Sequence, residues 1–182
     1  SVHSYGRESK IVVENARKKI ASLLNTSPGS IFFTSGGTEA DNMAIKCGIH
    51  DHKITHSITS KLSHHAVLYP LEDLEKEGII KLSYVDIDKN GVVDLNHLEE
   101  LLQNNPRTFV SIMHANNEIG TIQDIKAIGD LCKEHKAIFH SDTVQTMAHF
   151  PFNMQELQVD FMAASAHKFH GPKGVGFVYI SE

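Results

Sequence analysis

Helix-period stretches alternate with short apolar runs along the whole chain, and that alternation most limits what it can fold into. Val13, Ala16, Ile20 and Leu23/Leu24 recur at three-to-four spacing, an amphipathic helix stopped by Ser27-Pro28-Gly29. Ile31–Thr34 reads as a short buried strand, and Ala40, Met43, Ala44 and Cys47 mark a second helix. Lys53–Thr59 reads as a strand. A helix follows from about Ala66 to Glu77, in which Pro70 predicts a kink or a late start. Ile80, Leu82 and Tyr84 alternate as a strand, Asn90-Gly91 turns, and Asp94 caps a helix carrying Leu95, Leu98 and Leu102. Thr108–Met113, Ala137–His140, Asp160–Ala164 and Val175–Ile180 complete the strands, with one more helix at Ile125, Ile128 and Cys132. Strand–helix–strand repetition predicts an α/β fold, a three-layer αβα sandwich around a mostly parallel sheet.

The 182 residues correspond to one domain with a proper core, and no linker or repeat divides them. A net charge of −5, spread along the chain, excludes a basic nucleic-acid binder and a polybasic membrane tail. No apolar run approaches the roughly 18 residues that span a bilayer, and the polar start is no signal peptide. Two cysteines, Cys47 and Cys132, make no disulfide framework and point to a reducing, cytoplasmic compartment.

In parallel sheets, ligands bind beyond the carboxyl ends of the strands. Four loops there have unusual composition. Ser35-Gly36-Gly37-Thr38-Glu39-Ala40-Asp41-Asn42 allows close backbone approach, and Thr38 can cap the next helix with Asp41 as its capping-box partner. Such a helix start is an anion site, or an ordinary strand-to-helix turn. Ser111 through Gly120 carries Asn116-Asn117-Glu118, a source of directed hydrogen bonds or a polar turn. His140-Ser141-Asp142-Thr143-Val144-Gln145 puts a carboxylate at the end of an apolar strand, where it wants a cationic or N–H partner or caps a turn. Ala163 through Gly174 sets Lys168 among small residues, a place for a desolvated, reactive amine or for a surface lysine. Taken together, an anion cradle, a buried acid and a lysine on one sheet edge are what pyridoxal phosphate requires of a protein. It needs N–H groups for its phosphate, an acid for its ring nitrogen and a lysine for its aldehyde.

At these residues the chain resembles the large domain of the cysteine desulfurases, within the class V aminotransferases and the fold type I pyridoxal-phosphate enzymes. The matching stretches are Phe33 through Glu39, Ser111 through Gly120, and Ala163 through Lys168 with Gly171-Pro172-Lys173-Gly174. Asn116-Asn117-Glu118-Ile119-Gly120 is the stretch specific to the desulfurase branch. The resemblance implies that Lys168 bonds the cofactor and moves the substrate's Cα proton, and that Asp142 pairs with the ring nitrogen. Gln145 and Asn117 would hydrogen-bond near the phenolic oxygen and the substrate, and His64 would stack on the ring and assist proton transfer. Gly37, Thr38, Ser165 and His167 would hold the phosphate. It further implies L-cysteine as substrate, L-alanine and persulfide sulfur as products, a sulfur-acceptor protein such as an iron–sulfur scaffold, and a homodimer. Another class V aminotransferase, a selenocysteine lyase and a non-catalytic cofactor-binding fragment are the alternatives.

The chain departs from the family pattern at three places. Ala166 stands where glycine is usual, Val144 replaces a hydroxyl residue, and Gly37 stands where alanine is common. The family's N-terminal segment is expected before Ser1, and its smaller domain with the persulfide cysteine after Glu182. Cys47 and Cys132 both fall on apolar helix faces, which predicts two buried, inert thiols. No protein metal site is expected. His50, His52 and His56, or His167 and His170, have no metal-binding framework around them, and histidines other than His64 and His167 are expected at the surface.

Overall fold

β1 (Ile31–Thr34), β2 (His56–Thr59), β3 (Lys81–Tyr84), β4 (Thr108–Ser111), β5 (Ile138–Asp142), β6 (Phe161–Ser165) and β7 (Gly176–Ile180) form one sheet in the computed structural model, which describes residues 3–182. Their order across the sheet is β1-β7-β6-β5-β4-β2-β3. The five strands from β6 to β3 pair in parallel. β7 is antiparallel to both of its neighbours, β6 and β1, so it alone of the seven runs against the others. The αβα class with a mostly parallel sheet is the observed one.

Five helices cover the sheet: α1 (Ser4–Leu23), α2 (Gly37–Asp51), α3 (His65–Lys76), α4 (Leu95–Asn104) and α5 (Ile125–Glu134). Successive strand residues point to opposite faces, and the core divides accordingly. Phe109 and Ala163 pack with Ala40, Ala44 and Ile45 of α2 and with Val67 and Leu71 of α3. Val110 and Met162 pack with Leu98 of α4, Ile128 of α5 and Ala21 of α1. Asp94 caps α4 by accepting from the Asn96 and His97 N–H groups at 2.9 and 3.2 Å, as its position predicts.

Three local expectations are corrected. Of the face Val13, Ala16, Ile20 and Leu23/Leu24, only Leu24 is buried and Ile20 packs partly against the core. Val13 and Leu23 are exposed, Ala21 and Leu24 are buried, and Arg17 ties the helix to the Ile31 carbonyl. Only the last turns of α1 meet the sheet, so its periodicity outruns its contacts. Secondly, β2 begins at His56 rather than Lys53, because Lys53 takes a left-handed conformation (φ 53°) just after α2.

The third correction concerns Pro70. α3 starts at His65, earlier than predicted, and runs past Pro70 to Lys76. A proline removes the N–H that would reach the carbonyl four residues back. Here that carbonyl, Ala66, accepts instead from Asn42 Nδ2 of α2 at 3.2 Å. The side chain of one helix thus fills the gap in the other.

Candidate active site

The carboxyl ends of β1, β4, β5 and β6 lie at one edge of the sheet, because those strands run the same way. A cavity of about 300 Å³ opens there. It is lined by every site residue predicted from the sequence: Gly37 and Thr38 after β1, His64 before α3, and Asn117 after β4. From β5 and its loop come Asp142 and Gln145, and from β6 and the following turn Ser165, His167 and Lys168. Three other hollows are larger, at about 630, 700 and 690 Å³, so composition and not size distinguishes this one.

Each side chain is placed by local chemistry. At the start of α2 the first intrahelical bond runs from the Ala40 N–H to the Gly36 carbonyl at 3.1 Å. The N–H groups of Gly37, Thr38 and Glu39 precede that bond, which leaves a helix N-terminus facing the cavity. Gly176 lets the β1 loop come this close: a β-carbon there would meet Gly36 Cα at 2.8 Å and the Ala164 carbonyl oxygen at 2.4 Å. His64 caps α3 with its own ring, Nδ1 accepting from the Ala66 N–H at 3.0 Å. Ser165 Oγ and His167 Nδ1 are 2.9 Å apart. Asn116 braces the loop that carries Asn117: its Oδ1 accepts from the Glu118 and Ile119 N–H groups, and its Nδ2 donates to the Leu62 carbonyl. The Ala166 methyl group is accommodated because that residue is not in the left-handed region, which His170 (φ 65°) occupies instead.

The electrostatics centre on β5. Asp142 is buried and accepts from the Val144 N–H at 3.0 Å. Burial first, and the Asp41 carboxylate second, push its pKa up to about 7. His140, two residues earlier, is fully buried and its pKa falls to about 4, burial being the main cause. Asp41, from the second turn of α2, is pushed well up by burial.

The structure corrects several sequence readings here. Thr38 does not cap α2: Gly36 is the N-cap, no side chain caps it, and Asp41 turns into the core instead of closing a capping box. The acidic brace is Glu39, whose Oε2 accepts from the Ser35 N–H at 2.6 Å. Lys168 is exposed rather than desolvated, because a 3₁₀ turn (Ala166–Phe169) carries it out beyond the end of β6. Cys47 is exposed, since its α2 position turns away from the sheet, while Cys132 is buried with its thiol pKa pushed up by burial. His56, His114 and His140 are buried, not superficial. Each pairs with a hydroxyl group: Thr108 for His56, Thr146 for His114 and Ser111 for His140. Asp41, read from the sequence as a capping-box partner, lines the cavity instead, and His140, given no role, is buried behind it. The one available signal was a charged residue at a position of α2 that alternates with Ala40 and Ala44. Among the described residues, no group of three or more potential ligands could hold a metal ion.

The family model for class-V aminotransferases matches residues 1–182. The chain belongs to the class-V aminotransferase family. Within it, this chain is 49% identical over 183 aligned residues to the cysteine desulfurase IscS of Dictyoglomus turgidum, covering 99% of this chain and 46% of that protein. It is 45% identical to the putative cysteine desulfurase IscS 1 of Bacillus subtilis, covering all of this chain and 48% of the relative. Among solved structures, a NifS-like protein superposes with a TM-score of 0.94 at 41% identity, over all of this chain and 50% of that one. SspA in complex with cysteine superposes with a TM-score of 0.93 at 32% identity, over 99% and 52%. This class-V chain therefore spans about half the length of the curated relatives it matches. Class-V aminotransferases are pyridoxal-phosphate enzymes.

Proposed function

We propose that these residues form the pyridoxal-phosphate-binding part of a cysteine desulfurase. The observation that carries this reading is the meeting of Lys168, Asp142 and the N-terminus of α2 around one cavity. The residues fit the group. The free N–H groups at Gly37 and Thr38, with the Ser165–His167 pair, suit a phosphate. A buried carboxylate with one N–H partner still wants a cationic one, which a protonated ring nitrogen supplies. Lys168 stands at the rim with a free amine to reach an aldehyde. Asn117 and Gln145 offer amides to the phenolic oxygen and the substrate, and His64 lies where it can cover the ring.

When bound, pyridoxal phosphate withdraws electrons from the substrate's Cα. The chain's own residues do the rest. Lys168 accepts and returns the Cα proton, and Asp142 holds the ring nitrogen protonated. His64, whose Nδ1 is engaged as an acceptor, has Nε2 to deliver a proton. L-Cysteine loses its C–S bond and leaves as L-alanine, while the sulfur passes to a thiolate as a persulfide and then to an acceptor protein. Neither Cys47 nor Cys132 lines the cavity, so that thiolate comes from outside these residues. The same reading gives a cytoplasmic homodimer. The cysteine bound to SspA, whose structure this chain matches closely, supports L-cysteine as substrate.

Adding pyridoxal phosphate, reducing with borohydride and mapping the peptides tests the site. The label is expected on Lys168, and equal labelling of exposed lysines rejects it.

A further inference from the structure

Asp41 and His140 form a buried pair that the reaction above does not use. The Asp41 side chain is 2% exposed and that of His140 0%, and Oδ1 lies 3.3 Å from Nε2. The alignment is too poor for a regular hydrogen bond, and neither atom has another partner among the described residues. The second ring nitrogen of His140, Nδ1, lies 2.8 Å from Ser111 Oγ on β4, and the ring stacks along Phe109. Two buried polar atoms at this distance with no other partner cost free energy unless a proton lies between them. The other titratable groups lining the cavity with Asp41 are Asp142, His64, His167 and Lys168. An ionised Asp41 would set a second buried negative charge against Asp142, which already feels it.

We propose that Asp41 and His140 share one proton as a neutral carboxyl–imidazole pair, a positioning unit that leaves Asp142 as the carboxylate of the cavity wall to ionise against a cation. The proton sits between Asp41 Oδ1 and His140 Nε2, and His140 Nδ1–H donates to Ser111 Oγ. Burial acts in the same direction on both partners, keeping the acid protonated and the imidazole neutral. The consequence for Asp142 rests on its reading as the acid for the cofactor's ring nitrogen. The proton assignment does not.

Infrared difference spectra of the protein at neutral pH test the assignment without cofactor. A C=O stretch of a protonated carboxyl group is expected in Asp142→Asn, where the other buried carboxyl of the cavity wall is gone, and it is lost when Asp41→Asn is added to that variant. No such band in Asp142→Asn, or a band that survives the added Asp41→Asn, overturns the proposal. A protein that shows the band yet binds no pyridoxal phosphate refutes the proposed function and leaves the proton assignment standing.

Discussion

A β-carbon on Gly37 would come within 2.6 Å of Val144 Cγ2. These are two of the three places where the chain departs from the family pattern, and they touch. Glycine on the α2 side makes room for the valine branch on the β5 side, so the two departures are one steric arrangement. Gly37→Ala alone should therefore destabilise the protein by about 1–3 kcal/mol, the usual cost of overpacking. In Val144→Ala the nearest remaining atom is Ser165 Cβ, at an ordinary 3.5 Å from the added carbon, with Val144 Cβ at 3.8 Å. Urea unfolding of the two single variants and the double variant checks this. The double variant should be more stable than the sum of the single effects implies, by about 1 kcal/mol or more. Simple additivity would show that the loop moves aside freely.

His64 holds two positions at once, in the cavity wall and at the N-cap of α3. His64→Ala should cost about 1 kcal/mol of stability through the lost cap, besides its effect on catalysis. His64→Asn keeps an acceptor for the Ala66 N–H and should recover that stability without recovering turnover. Thermal unfolding and assay of both variants separate the roles. Equal melting of the alanine and asparagine variants would remove the cap from the account.

Asp142 makes the ligand-free protein sensitive to pH. Its folded pKa, about 7, lies above the ordinary 3.8, so the folded state holds a proton that the unfolded state has released between those values. Unfolding stability then falls as pH rises through that window and levels off above it. Asp142→Asn removes the titration. The variant without cofactor should gain stability over the parent by an amount that grows from pH 4 to pH 7, reaching on the order of 1–3 kcal/mol. Pyridoxal-phosphate affinity should fall in the same variant. Comparing the two proteins isolates Asp142 from the buried His140, which contributes in the opposite direction over part of the range.

The two thiols should react unequally. Cys47 is exposed and Cys132 is buried with a raised pKa. A thiol reagent should modify one cysteine at once in the native protein and the second only after denaturant is added. Peptide mapping should place the first label on Cys47. Prompt labelling of Cys132 would mean that α5 opens readily.

The alternation of helical and strand periods determined the layered α/β fold, since each period reports local backbone geometry that tertiary packing here did not overrule. The composition of the four strand-end loops likewise singled out the start of α2, Asp142 and Lys168, which do meet, whereas His64, Asn117, Gln145, Ser165 and His167 were named by the family resemblance. The parallel direction of β1, β4, β5 and β6 brings their ends to one edge whatever the details between them. Burial was a different matter, because it depends on what stands opposite. The apolar stripe of α1 is mostly exposed where no element covers it, and Cys47 faces outward on a helix whose neighbouring positions are core. Asp41 has the spacing of a capping-box partner, yet it turns inward to His140, 99 positions away along the chain (140 − 41). Pro70 predicts a disturbed helix until Asn42, on another helix, supplies the missing donor. Partners so far apart in sequence leave no periodic trace in it, and only the packing of α2 against α3 and β5 brings them within hydrogen-bonding distance.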